Sequence, residues 1–162
     1  IYDFDVILAI RFVNVSRESV SEKSYIETKE IEDGWQYAYD ANSNVMKDTA
    51  GNDIKIKKYK TISCEIKEIE QHKTAQISGN IDIINRHTKQ IIKTEPIVAE
   101  MIFHNCAIIP YGDTKALKDE TAKKIGGKVL PFPNDLQMLL DAGQILKNLA
   151  KEFINNNKRL MI

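Results

Sequence analysis

The stretch TAQISGNIDIINRHTKQIIKTEPIVAEMIFH, Thr74 to His104, decides the architecture. Ile77, Ile81 and Ile83 alternate on one face of a first arm. Ile97, Ala99, Met101 and Phe103 keep the same phase on a return arm. Period-two alternation on both sides of a polar break predicts an antiparallel hairpin with one oily face. Asn85-Arg-His-Thr-Lys89 supplies the tip. Gly79 marks a bulge, and Pro96, which cannot donate to a ladder, confines its neighbourhood to an edge or a kink.

The same period extends toward the N-terminus. DFDVILAIRFVNV carries Phe4, Val6, Leu8, Ile10 and Phe12 on one parity and Ile7, Ala9, Val13 and Val15 on the other. A strand apolar on both faces is expected at the centre of a sheet or covered on both sides. VSEKSYIETKEIEDG is charged and reads as an exposed strand ending at an Asp33-Gly34 turn, with WQYAY as a short aromatic strand beyond it. IKIKKYKTISCEIKEIE places Cys64 between Ile62 and Ile66 on an apolar face.

Past residue 106 the period changes. DTKALKDETAKKIGG predicts a helix of about two turns with Gly126 as a left-handed cap. LPFPND predicts an extended connector, because a residue before proline leaves the helical basin. The final segment predicts an amphipathic helix capped by Asn134 or Asp135. Its apolar stripe runs through Leu136, Leu139, Leu140, Gly143, Leu146, Leu149, Ala150 and Phe153. Lys147, Lys151, Lys158 and Arg159 gather toward its C-terminus, where the helix dipole favours cations. Strands first and helices last predict one α+β domain, β-rich over 1–106 and helical over 107–162. Its antiparallel sheet bears a projecting β-ribbon, a short helix, and a C-terminal amphipathic helix packed on one face.

The ribbon is predicted from a phrase written twice. Asp40-Ala-Asn-Ser-Asn-Val-Met-Lys47 and Asp48-Thr-Ala-Gly-Asn-Asp-Ile-Lys55 both read D-x-x-[S/G]-N-x-[apolar]-K. Asp40, Asn42, Asn44, Asp48, Asn52 and Asp53 offer oxygens of the class calcium takes. The spacing nevertheless departs from an EF-hand loop, with Val45 where glycine belongs and Gly51 where the bidentate glutamate belongs. Asp, Asn and Gly also close turns, so two successive reverse turns are expected, with no metal and no cofactor.

Acidic and basic residues balance at 23 each, so no global field draws the chain to nucleic acid. No apolar run approaches the roughly 20 residues of a membrane helix. The chain opens on a strand without Met and reads as a piece of a longer one. Cys64 and Cys106 are too few for a disulfide framework and lack zinc-site clustering, and a single bridge between them stays open. His72, His87 and His104 have no His or Cys at ligand spacing except Cys106 beside His104. Glu65, Glu68, Glu70, Glu95 and Glu100 lie among lysines, the pattern of a solvated face. No nucleophile elbow or phosphate-binding glycine loop occurs. Trp35, Tyr37 and Tyr39 share a parity. They are expected to cover the core face of the sheet, and otherwise to stack on a sugar or a partner.

The doubled phrase leading into KIKKYKTISCEI, the GNIDIINRHTKQIIKTEPIVAE hairpin, YGDTKAL and LPFPNDLQMLLDAGQILKNLAKEFI form a set. That set resembles the C-terminal β-rich region of uncharacterised envelope lipoproteins of Bacteroidetes-type bacteria. In architecture it is also similar, more loosely, to curli-secretion and penicillin-binding-protein-activator lipoproteins. The resemblance implies an outer-membrane-associated or periplasmic location, a lipid anchor upstream of Ile1, and no assigned enzyme activity. The expected function is a non-enzymatic interaction or scaffold module. Trp35, Tyr37, Tyr39, Asp40, Asn44, Asp48 and Asn52 are its expected contact residues for a protein partner in the envelope. The alternative is a ligand-binding or hydrolytic domain using His104, Cys106 and nearby acids.

Overall fold

The structure, a computed structural model, describes residues 3–162. Four strands form one antiparallel sheet: β1 (Phe4–Val15), β2 (Ser19–Tyr37), β3 (Lys55–Asn85) and β4 (Ile91–Gly112). Two α-helices follow, α1 (Asp119–Lys123) and α2 (Asp135–Asn156). β3 is the spine, pairing with β1, β2 and β4. The α+β architecture predicted from the alternation is the one observed.

β3 is one strand of 31 residues, continuous through what the sequence divides into two segments. The reason lies in its alternation. From Gln71 to Ile83 every odd residue is buried, and the polar Gln71 and Lys73 keep that phase because their buried side chains find partners. The hairpin tip falls where expected. Asn85 Oδ1 accepts from the N–H groups of His87 and Thr88, and Lys89 turns the chain at φ 59°.

The chain forms two compact units. The first contains the segment ending at Ser21 together with Glu70–Asn105 and Val129–Ile162, and the second contains Glu22–Ile69 and Cys106–Lys128.

In the first unit β1 pairs with β3 from Phe4 opposite Asn85 to Val15 opposite Ala75. The register shifts between Ile10 and Phe12, opposite Gly79 and Ser78, so the bulge lies where Gly79 predicts it. A Cβ on Gly79 would be driven into the backbone of Ala9 and Ile10, which is why only glycine fits. β1 is not central, contrary to its two-faced apolarity. It pairs with β3 alone among the described residues, and Ile7, Leu8, Ile10, Phe12 and Val13 are exposed.

α2 lies on the sheet face formed by Ala75, Ile77, Ile97 and Ala99, and seals it with Met138, Ala142 and Leu146. A second cluster joins Ile81, Ile83 and Phe153, with Phe4 and Val6 packed against it. The stripe is thus rotated from the predicted one. Met138, Ala142 and Ile145 belong to it, Leu136 and Leu140 are exposed, and Gly143 takes no place in the cores. A repeat of leucines at three and four is compatible with two neighbouring helix faces, and the sheet selects one. Asn134 caps the helix by accepting from the Gln137 N–H at 2.7 Å. The C-terminus departs from expectation. Its last turn has no basic residue, Lys158 and Arg159 lie in a following 3-10 turn, and Asn157 closes the end by donating to the Phe153 carbonyl.

Two buried polar side chains fasten the first unit. Gln71 brackets the Leu130 peptide, donating to its carbonyl at 2.8 Å and accepting from its N–H at 2.9 Å. Lys73 reaches Asp135, Glu18 and the Pro133 carbonyl. The Asp135 carboxylate holds the ammonium above the ordinary lysine range, with Glu18 assisting. These bonds tie the 129–134 connector to β3.

The second unit is built on Cys64, Ile66, Ile108, Ala116 and Leu117, with Ile62 and Cys106 packed against them. Both cysteines are thiols, with no bridge between them. The helix after residue 106 is shorter than predicted, a 3-10 turn at Thr114–Ala116 and then five residues of α1. Gly126 does take φ 95°, though two residues beyond the Lys124 cap. The helix start lacks a local cap. Glu27 of β2 replaces it, accepting from the Lys118 N–H at 2.7 Å and the Thr121 hydroxyl at 2.8 Å. The Lys118 N–H is the main reason its carboxyl titrates below the usual range.

Candidate functional site

The ribbon made by β2, β3 and the turns between them gathers every predicted contact residue into the second unit. β2 does not turn at Asp33-Gly34. Gly34 takes φ 81° within the strand, and WQY is its last stretch. The Asp33 carboxylate instead accepts from Lys60 at 2.8 Å across the ribbon, which depresses its pKa. Lys57 with Glu32 and Lys67 with Glu22 add further ties between β2 and β3.

Each copy of the doubled phrase closes one tight turn with the same bonds. Asp40 Oδ1 accepts from the N–H groups of Asn42 and Asn44, at 2.9 and 2.8 Å. Asp48 Oδ1 accepts from those of Ala50 and Asn52, both at 2.9 Å. The amide of Asn44 donates back to Asp40 Oδ2, and that of Asn52 to Asp48 Oδ2. Ser43 and Gly51 occupy the fourth position at φ 63° and 86°. That left-handed conformation explains why the phrase varies between Ser and Gly there. The two aspartates titrate below the ordinary range chiefly because the N–H groups of Asn44 and Asn52 stabilise their ionised forms.

A second order of regularity lies under the turns. The Ala38 N–H donates to the Ile54 carbonyl, Ile54 to Met46, and Met46 to Ala38, at 2.8 to 2.9 Å. Three peptides spaced eight residues apart therefore close a ring of hydrogen bonds. Isolated bridges flank it, Tyr39 opposite Val45 and Lys47 opposite Asp53.

Trp35, Tyr37 and Tyr39 do not cover a core. They are 63%, 41% and 59% exposed. Lys57 sits over the Trp35 ring at 5.9 Å from its centroid and Lys55 over Tyr37 at 5.4 Å. Cation–π contact holds the rings in place without removing them from water. The ribbon end thus presents ordered aromatic surface, lysine ammonium groups and two turns with fixed backbones. Such a surface can stack, make apolar contact and form hydrogen bonds. Lys55 and Lys57 are part of this surface, and sequence reasoning missed them. Their alternation in KIKKYK was visible, but the strand pairing that sets them over Trp35 and Tyr37 was not.

The groups of the alternative site are placed otherwise. Cys106 packs against the Cys64 and Ile66 cluster, while His104 is exposed on β4. Among the described residues no three His, Cys, Asp or Glu side chains are grouped as metal ligands would be. A concavity of about 340 Å³ in the first unit is lined by Glu95, Glu152, Ile97 and Phe153, and by neither His104 nor Cys106. Glu95 pairs there with Lys93 at 3.4 Å. No helix of the described residues is long and apolar enough to cross a membrane. No family model, curated protein or solved structure matches the chain.

Proposed function

We propose that this chain is a non-enzymatic interaction module of a bacterial cell-envelope lipoprotein, and that it meets a protein partner through the end of its β2–β3 ribbon. The observation that carries the reading is the exposed row of Trp35, Tyr37 and Tyr39, two of whose rings are braced by lysines. Left in water, such a row adds nothing to the buried cores of this fold, whereas aromatic anchors of this kind dominate protein–protein contacts. The aspartate-closed turns beside it support the same reading, since a surface ordered in advance loses less entropy on binding. The envelope location rests on the resemblance described above.

The test is affinity purification from solubilised native envelopes. Trp35→Ala combined with Tyr37→Ala removes the specifically co-eluting protein, by roughly a factor of thirty or more if the pair acts as a hot spot of about 2 kcal/mol or greater. His104→Ala combined with Cys106→Ala leaves its recovery unchanged. Unchanged recovery with the aromatic pair replaced overturns the reading, and loss with the His104 and Cys106 pair replaced supports the alternative.

A further inference from the structure

We infer that β1 is a self-association edge, along which a second copy of this chain adds its own β1 antiparallel. The inference is independent of the ribbon. β1 has β3 on one side and no strand on the other among the described residues. The Arg86 N–H donates to the Asp3 carbonyl, so the odd-numbered residues of this strand direct their peptide groups at β3. The alternation of an antiparallel ladder then turns the N–H and C=O of Phe4, Val6, Leu8 and Ile10 outward. The regular run from Phe4 to Ile10 ends only at the shift before Phe12.

Such edges are normally blunted with charge or proline. β4 carries Lys93, Glu95 and Pro96, and β2 is studded with glutamate and lysine. β1 has one charge between Phe4 and Ile10, Asp5, and then Arg11. Those two charges point to the occupant. In a two-fold pairing centred on Leu8, Val6 lies opposite Ile10 and Ile7 opposite Ala9. Asp5 of each copy then comes beside Arg11 of the other, the residue that the shift leaves without a ladder partner on β3. The strand is therefore complementary in charge to its own reverse, and both of its faces supply exposed apolar neighbours to the pair. Arg11 is exposed and has no ion-pair partner among the described residues, and Asp5 holds only the surface contact with Arg86 at 3.4 Å.

Sedimentation equilibrium over a concentration series tests this on the chain as it stands. The wild type shows a reversible monomer–dimer equilibrium. Asp5→Lys and Arg11→Glu each weaken it at least tenfold, because each sets like charges opposite one another. An equimolar mixture of the two variants regains the dimer, since Lys at 5 then faces Glu at 11 and Arg11 faces Asp5. Thermal melts of the separate variants confirm that both are folded. The inference is overturned by a wild type monomeric at every concentration, by single variants that dimerise as it does, or by a mixture that stays monomeric while both variants are folded.

Discussion

Asp40 and Asp48 show how much one carboxylate can organise. Each ties two backbone N–H groups and one asparagine amide, so its ionised form is the one the turn requires. Folding lowers both pKa values. A group of that kind contributes stability above its unfolded value, and the contribution is lost as pH falls through the folded value. In an acid titration followed by NMR, the Asn44 and Asn52 backbone amides therefore shift together, with midpoints below about 3.9, the ordinary aspartate value. A midpoint at or above that value contradicts the bonding described. The turn chemistry was legible in the sequence, because Asp, Asn, Ser and Gly at those offsets have few other uses. The buried Glu27, Gln71 and Lys73 were not, since each is partnered by residues more than fifty positions away.

At the scale of elements, period decided what could be read. The alternation in β3 and β4 located the hairpin, the buried isoleucines and the bulge at Gly79. The same rule misplaced β1, because an edge strand that is apolar on both faces has the pattern of a central one. It also left the helix face open. Leu140 and Leu146 are equally apolar letters at adjoining heights, yet only Leu146 is buried. Urea denaturation separates them. Leu146→Ala costs about 2–5 kcal/mol through lost burial and a cavity, while Leu140→Ala stays within about 0.5 kcal/mol. Equal losses at the two positions would mean that α2 presents a different face to the sheet. Trp35 and Tyr37 belong to the same lesson, as three aromatics on one parity indicate a shared face and not whether water covers it.

At the scale of the molecule, charge and oxygen-rich turns invite a cation that the geometry does not need. Asp40 and Asp48 already accept N–H donors, and those bonds close the two turns. Differential scanning calorimetry in millimolar calcium and in chelator gives the same melting temperature. A ligand that prefers the folded chain would raise it by mass action, so an upward shift with calcium would assign the turns to metal. The balance of 23 acidic and 23 basic residues has a second effect at this scale. With little net repulsion between copies, solubility depends on how the apolar edges are managed.

The ring formed by Ala38, Met46 and Ile54 sets a limit on variation. A triangle closed by three peptides has no vacancy for a fourth, so one more eight-residue phrase could not simply be inserted into the series. The outer corners carry no such restriction: Ala41, Asn42, Thr49 and Ala50 face solvent and can change in side chain while the triangle beneath them stays shut. Drift in sequence is thereby steered to two small, evenly spaced patches, and the length of the ribbon end is held constant.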